Sequence, residues 1–342
     1  MNKPTMACIV GLAAATACAP DTELTAAPAA ELAQASLYVA APTCGPAKVT
    51  ALPALLPDAK IDGIMEVDFQ HLRRGAMFGE VERLLATEAA EVVGAMKECS
   101  VPLSAAQGVV VGFNESGDVV LAAKATGLGT PGTLDCLAKK LEAASGKAPW
   151  KRTTSGCTTT LDMSGGDDKG FVVDKDTVVF ASKSMVPAVS DRIAGKGKAA
   201  LDGRLGWARG KVDMKGTAWA ASNIPASAGT GMSPALAGMS RVTMSIDASK
   251  GLGLAVGAGF KSSSSAKSAA DELNKQVVQA KAMLPLLGLS SKVGDSIEVK
   301  AKGSLVSMAM FLSRDDLDTI RKAVGSMSGG SGSSPPPSPS GI

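Results

Sequence analysis

Residues 241–260, RVTMSIDASKGLGLAVGAGF, contain the pattern that decides the fold. In the first seven, apolar residues alternate with polar ones at Val242, Met244 and Ile246, the two-residue period of a strand with one buried face. After the polar turn ASKG, a second segment again alternates, with larger apolar residues on one face and small residues on the other. The two segments predict an antiparallel hairpin. Apolar residues at helical spacing over 266–284 predict a helix after it.

The same order of elements occurs earlier in the chain, at an offset of about 130 residues. Residues 107–114 and 119–125 predict a hairpin, and residues 131–144 predict the helix that follows it. In the first half, further strands are predicted at 150–154, 158–163, 170–174 and 177–182, followed by a closing helix at 184–194. In the second half, further strands are predicted at 296–302 and 305–312, followed by a closing helix at 315–324. The sequence therefore predicts an α+β fold, a duplicated unit of antiparallel strands with helices packed on the sheet.

Two features are predicted at the start of the halves. A strand opens each half, at residues 63–68 in the first and 217–223 in the second. The first half then contains one long helix over residues 77–99, whose apolar residues form a single stripe. Burial of this stripe against the sheet is the expected result.

The amino terminus carries a signal for export. Residues 6–17, MACIVGLAAATA, follow Lys3 and have the length of the apolar region of a secretory signal peptide. They end in Ala15-Thr16-Ala17-Cys18, which resembles the lipobox of bacterial lipoproteins and implies that Cys18 becomes the lipidated first residue. That motif usually has Leu where this chain has Ala15, so ordinary signal-peptide cleavage is the alternative. No second apolar segment approaches the roughly 20 residues that a membrane-spanning helix needs.

The composition along the chain predicts five segments. They are a signal peptide at 1–17, an Ala/Pro-rich tether at 18–58, α+β repeats at 59–195 and 196–325, and a disordered Gly/Ser/Pro tail at 326–342. With its lipobox-like start and repeated body, the chain resembles uncharacterised two-repeat cell-envelope lipoproteins. That resemblance implies a bacterial envelope location, on its periplasmic or cell-surface face, and names no activity.

Four cysteines remain after Cys8 is removed with the signal and Cys18 is lipidated. Cys44, Cys99, Cys136 and Cys157 form an even set without any CxxC pair, which favours disulfides over a zinc site. Proximity in the sequence favours Cys136 with Cys157 and Cys44 with Cys99 among the three possible pairings.

Composition excludes several classes of function. A single histidine, His71, excludes any site that needs two imidazoles. Aromatic residues make up only 3% of the chain, and 35 basic residues face 32 acidic ones, so nucleic-acid binding is not expected.

One stretch resembles a dinucleotide-binding loop. Residues 127–132, GLGTPG, follow a strand and precede a helix, as a GxGxxG fingerprint does. The strand belongs to a hairpin, however, Pro131 removes an amide, and no acidic residue lies about 20 positions further on. We interpret the stretch as a strand-to-helix turn and predict no cofactor.

The remaining polar candidates favour structural roles. Asp162, Asp167 and Asp168 lie around two glycines, but their spacing does not match a calcium loop, and we interpret them as a hairpin turn without metal. His71 could serve as a general base, yet no GxSxG motif accompanies it, so we interpret it as a surface or capping residue and predict no catalytic residues.

Methionines are concentrated in the second half: Met232, Met239, Met244, Met283, Met308 and Met310. They fill the core of an aromatic-poor protein or, alternatively, line an apolar groove. The sequence as a whole predicts a lipid-anchored envelope protein with a non-enzymatic binding or scaffolding role. The alternative is a carrier of lipid or another apolar ligand in a cavity between sheet and helices.

Overall fold

The computed structural model describes residues 48–59, 61–75, 77–225 and 238–328. Its strands are Gly63–Asp68 (β1), Ala106–Phe113 (β2), Val119–Ala125 (β3), Trp150–Ser155 (β4), Thr158–Met163 (β5), Lys169–Val172 (β6), Thr177–Ala181 (β7), Ala218–Asn223 (β8), Met239–Asp247 (β9), Leu252–Phe260 (β10), Glu298–Lys302 (β11) and Leu305–Leu312 (β12). Its α-helices are Phe69–Arg74 (α1), Phe78–Glu88 (α2), Ala90–Glu98 (α3), Pro131–Ser145 (α4), Val186–Ile193 (α5), Ser263–Met283 (α6), Ser291–Ser296 (α7) and Arg314–Ser328 (α8).

The chain divides into two compact units. Among the described residues, unit 1 combines those from 48 to 61 with 80–204, and unit 2 combines those from 62 to 79 with those from 205 to 328. The predicted signal peptide, Cys18, Cys44 and residues 329–342 lie outside the described residues.

Unit 1 contains six antiparallel strands in the order β2-β3-β7-β6-β5-β4. Burial alternates along β2, as expected of a strand whose side chains point to opposite faces. On one face, the 3₁₀ turn Leu52–Leu55 packs on β2 and β3 and against α5, and Val110 and Val120 are fully buried. On the opposite face, α4 packs Leu134 against Leu161 and Val178. Both faces of this sheet therefore contribute to the core.

Unit 2 also contains six antiparallel strands, in the order β1-β8-β9-β10-β12-β11. Helix α6 packs on β10, β11 and β12. Its buried residues, Ala266, Ala269 and Ala270, lie against Phe260 and Val306. The small alanine side chains allow the helix to approach the sheet closely, which offsets the scarcity of large aromatic residues.

The predicted α+β class and the duplication are confirmed by the topology. In unit 1, the hairpin β2-β3, helix α4 and hairpin β6-β7 give the strand order β2-β3-β7-β6. In unit 2, the hairpin β9-β10, helix α6 and hairpin β11-β12 give the equivalent order β9-β10-β12-β11. Each unit also contains two further strands, and their positions in the two sheets differ. In unit 1, β5 and β4 lie beyond β6, whereas in unit 2, β8 and β1 lie beyond β9.

The predicted division into 59–195 and 196–325 needs a correction at its start. Strand β1 was expected to open the first repeat, but it pairs with β8 from Gly63↔Ser222 to Val67↔Ala218 and belongs to unit 2. Alternation within a strand shows which face is buried but not which strand lies beside it, because that choice depends on long-range pairing.

The long helix predicted over residues 77–99 is two helices. Helix α2 ends at Glu88 and α3 begins at Ala90, with Ala89 between them outside helical backbone geometry. The apolar stripe is half-buried and not fully buried as expected: Phe78, Val81, Leu85, Val92 and Met96 are each partly exposed, and α2 contains no fully buried residue. Helix α8 continues to Ser328, so the start of the predicted disordered tail at 326 is helical.

The disulfide connectivity differs from the prediction. Cys99 bonds to Cys136, with Cα atoms 5.7 Å apart, so the predicted pairs Cys44 with Cys99 and Cys136 with Cys157 are wrong. Cys157 is disulfide-bonded as well. Cys99 follows α3 directly, and α3 packs on α4, which contains Cys136. Contact between helices, and not proximity in the sequence, determines the partner.

Candidate functional site

The glycine-rich turn at residues 127–132 packs against the turn between β6 and β7. Gly127 adopts a positive φ of 79° and donates its N–H to the Asp176 carboxylate at 2.7 Å. The Gly129 N–H donates to the carbonyl oxygen of Lys175 at 2.9 Å. Because these amides already have protein partners, they are not free to hold a phosphate. The turn joins β3 to α4, as expected.

The acidic turn around Asp167 is held by lysines. The Asp162 carboxylate accepts from Lys169 Nζ at 2.9 Å, and the Asp167 carboxylate accepts from Lys183 Nζ at 2.5 Å. These hydrogen bonds lower the pKa of both carboxyl groups. Asp168 accepts from the backbone N–H of Lys183. Across the part of the chain that the structure describes, no three His, Cys, Asp or Glu side chains form a group suited to a metal ion.

His71 lies in the first turn of α1, close to two carboxylates. Asp68 caps this helix by accepting from the His71 backbone N–H at 2.9 Å. The His71 ring is 3.4 Å from Asp247, measured from Nε2 to Oδ1. Hydrogen bonds from Ser249 are the main reason that the pKa of Asp247 is lowered.

The order of these groups does not match a hydrolytic triad. In a triad the imidazole lies between the hydroxyl and the carboxylate, so that it can accept the hydroxyl proton. Here Asp247 lies between Ser249 and His71. The contacts instead connect α1 to the turn after β9, where Gly75 approaches Ala248 so closely that a Cβ would lie 2.4 Å from its carbonyl oxygen.

A half-buried acid in unit 2, Glu66, was not identified from the sequence. The Trp219 indole N–H donates to Glu66 Oε2 at 2.8 Å, and Trp219 is only 2% exposed. Burial raises the pKa of Glu66, with a smaller contribution from repulsion by Asp68, while the Trp219 hydrogen bond opposes the rise. In the sequence, Glu66 occupies a polar position of an alternating strand, which normally faces solvent. Only the pairing of β1 with β8 places it beside Trp219.

Glu66→Gln is expected to stabilise the protein increasingly as pH rises. The amide oxygen still accepts from Trp219, but no charge forms at this half-buried position. Since the folded-state pKa lies above the ordinary 4.5, wild type loses stability as pH rises from that value through the folded pKa, and the variant does not. The free energies of unfolding of the variant and of wild type, measured by urea denaturation between pH 4 and pH 8, should therefore differ more as the pH rises.

Glu142→Gln serves as the matched control, because Glu142 is exposed. Its free energy of unfolding should differ little from that of wild type at every pH. A pH-independent difference between Glu66→Gln and wild type would contradict a raised pKa of Glu66 in the folded protein.

The cleft that we describe in unit 1 has a volume of about 400 Å³. It is lined by the junction of α2 and α3 (residues 87–92), the end of α4 (Leu141, Ala144 and Ser145), the loop at 147–149, and Ser164. The ionisable groups of this lining are Glu88, Glu91 and Lys147, and no histidine or cysteine belongs to it. Thr87, Ser145, Ser164 and apolar side chains complete the lining, so the cleft is an open depression of mixed polar and apolar character.

The methionines of unit 2 have different environments. Val256 lies between Met244 and Met308 on neighbouring strands, and Leu254 pairs with Met310, so these three methionines share one half-buried sheet face. Met239 packs on the core around Phe260. Met283 is 56% exposed, and Met232 lies outside the described residues. Met239 therefore packs on the core, while Met244, Met308 and Met310 lie half-buried on the sheet.

Comparisons of the chain with models of known protein families, with curated proteins and with solved structures find no match. Within the described ranges, the helices are too short or too polar to cross a membrane.

Proposed function

We propose that the chain is exported to a bacterial cell envelope, is anchored there by lipid at Cys18, and binds or scaffolds another envelope component without catalysing a reaction. The observation that carries the proposal is the disulfide between Cys99 and Cys136, together with the disulfide-bonded state of Cys157. Structural disulfides persist in oxidising compartments and are rare in the cytosol. They agree with the signal-peptide pattern of residues 1–17.

Several side chains that could take part in catalysis make structural contacts in the described residues. His71 and Asp247 connect α1 to a turn, and Asp162 and Asp167 pair with lysines. Glu66 is engaged by Trp219. These contacts favour a binding role, since none of the groups lines the cleft.

The anchor and the disulfides are tested by mass spectrometry of the protein extracted from its own membranes. The denatured, unreduced mass should correspond to a chain that begins at diacylated Cys18 and lacks the hydrogens that two disulfides remove. A Cys18→Ser variant should lose the acyl mass. An unacylated chain beginning at Cys18 would disprove the anchor, and free thiols would disprove residence in an oxidising compartment.

A second candidate, a carrier of lipid or another apolar ligand, is favoured by the cleft of unit 1. Its volume of about 400 Å³ falls within the range of ligand pockets, roughly 300–1,000 Å³. The carrier interpretation placed the cavity between sheet and helices. The cleft lies instead at the α2–α3 junction and the end of α4, while Leu134 closes the contact between α4 and the sheet.

Ala144→Trp is expected to abolish carriage by filling this cleft. Ala144 is exposed and lines the cleft, whereas the neighbouring Ala143 is exposed but does not line it. Native mass spectrometry of the membrane-extracted protein should therefore show a co-purifying small molecule in wild type and in Ala143→Trp, but not in Ala144→Trp. Wild-type protein without a bound molecule, or equal occupancy in both variants, would exclude the cleft as a carrier site.

A further inference from the structure

Cys157 lies at the tip of the hairpin formed by β4 and β5. Ser155 pairs with Thr158, so Gly156 and Cys157 form a two-residue turn. Gly156 has a positive φ of 58°, whereas the φ of Cys157 is negative. A positive φ at the first central position alone is the conformation of a type II′ turn, which favours glycine there. The turn therefore holds the backbone of Cys157 in a defined place.

Cys157 is disulfide-bonded although it is exposed. Its neighbours from Thr153 to Thr158 are exposed as well, so the bond lies at the surface and not in the core. Neither of the other two cysteines of the described residues is its partner, because Cys99 and Cys136 bond to each other. The partner sulfur must therefore belong to a segment that reaches the hairpin tip from outside the described residues.

Three cysteines of the chain lie outside the described residues, namely Cys8, Cys18 and Cys44. Cys8 belongs to the predicted signal peptide and is removed with it. In the proposed function Cys18 carries its lipid on sulfur, so it has no thiol with which to form a disulfide. Cys44 is then the remaining partner. The choice among the three cysteines rests on the proposed function, whereas the bonded state of Cys157 does not.

We propose that Cys44 and Cys157 form a disulfide, which attaches the amino-terminal tether to the tip of the β4–β5 hairpin. Each thiol loses one hydrogen as the S–S bond forms. The two electrons and two protons pass by thiol–disulfide exchange to the disulfide of an envelope thiol oxidase, which is reduced to a dithiol. The link between the lipid on Cys18 and the folded body then ends at residue 44 and spans at most about 90 Å when fully extended.

The disulfide determines which part of the body is attached to the anchored segment. Strand β4 is the last strand in the order of the unit 1 sheet, next to β5. A tether bonded to Cys157 therefore transmits any pull from the membrane to this edge of the sheet. Without the bond, the tether meets the described residues first at Lys48, where a Cβ on Gly195 after α5 would lie 3.0 Å from the lysine Cδ.

The partner of Cys157 is identified in a non-reduced digest of the exported full chain. The digest should contain one pair of peptides that links Cys44 to Cys157 and that separates on reduction. Cys44→Ser should free one thiol, and iodoacetamide should label it at Cys157 in the folded protein because this residue is exposed. Thr43→Ser is the matched control, since it changes the adjacent residue and should free no thiol.

The attachment is tested by cutting the chain between Cys44 and Lys48. A protease recognition sequence is inserted after Ala47, and the protein is kept on the membranes of the cells that produce it. Cleavage alone should leave the body on the membranes, because the disulfide still connects it to the anchored segment. Addition of a reductant should then release at least about tenfold more of it.

Two variants control the release experiment. Cys157→Ser with the same inserted sequence should be released by cleavage alone, because no disulfide holds the body. When the recognition sequence is inserted after Ala27 instead, cleavage should release the body with or without reductant, since the cut then lies between the lipid and Cys44. Wild type without an inserted sequence should stay on the membranes under both conditions.

Several results would overturn the proposed disulfide. They are a peptide pair that links Cys8 or Cys18 to Cys157, a dimer joined through Cys157 on a non-reducing gel, a free Cys157 thiol in wild type, and release by cleavage after Ala47 without reductant. Failure of the lipid anchor gives a different result. The protein then does not sediment with membranes, while the digest still identifies the partner of Cys157. The disulfide and the anchor can therefore fail independently.

Discussion

Gly129→Ala is expected to lower the free energy of unfolding by roughly 3 kcal/mol or more. A Cβ at this position would lie 2.1 Å from the carbonyl oxygen of Asp174, which is backbone and cannot rotate away. The two turns would have to separate, with loss of the bonds from Gly127 to Asp176 and from Gly129 to Lys175. Urea denaturation followed by circular dichroism measures the change.

Gly132→Ala provides the control within the same motif. Nothing lies within 4 Å of the Cβ that this substitution adds, and Gly132 is in the first turn of α4. Alanine there should be neutral or stabilising by up to about 1 kcal/mol, because its helix propensity is higher. Equal losses in the two variants would contradict the close approach at Gly129. The contrast also separates a structural turn from a nucleotide-binding loop, in which the last glycine of the motif is required for packing.

Removal of the Cys99–Cys136 disulfide should cost about 4 kcal/mol of stability, as chain-entropy estimates give for a loop of this length. The bond closes a separation of 37 residues and joins two helices that pack on each other. The double variant Cys99→Ala with Cys136→Ala is compared with wild type by urea denaturation under non-reducing conditions.

The single variants test the connectivity. Each of Cys99→Ala and Cys136→Ala should lose about as much stability as the double variant, since either one breaks the same bond. If Cys99 and Cys136 belonged to two different disulfides, the two losses would add in the double variant. Additive losses, or peptides that link Cys136 to Cys157 in a non-reduced digest, would contradict the structure.

Elements with strong local periodicity could be predicted closely. The hairpin expected at 107–114 and 119–125 is Ala106–Phe113 and Val119–Ala125, and the helix expected at 131–144 is Pro131–Ser145. Helix α6 ends at Met283, within one residue of the end predicted from the helical spacing over 266–284. These features depend on residues close in sequence, where alternation, helical spacing and proline act directly.

Features that depend on distant residues could not be predicted. The break at Ala89 has no proline or glycine to indicate it, and Glu66 has the sequence context of a solvent-facing residue. The contact between His71 and Asp247 spans 176 positions, and nothing near either residue indicates the other. The candidate cleft likewise combines four separate stretches of unit 1.

By itself, the sequence determined the α+β class, the duplicated order of hairpin and helix, and the turn character of residues 127–132. Each of these follows from side-chain periodicity or backbone restriction over a few neighbouring residues. Only the tertiary structure decided that β1 joins unit 2, that Cys99 bonds to Cys136, that Glu66 lies half-buried beside Trp219, and that the end of α6 is exposed. The physical reason is that strand pairing, helix packing and burial depend on which distant segments exclude water from each other, and this is a property of the whole folded chain.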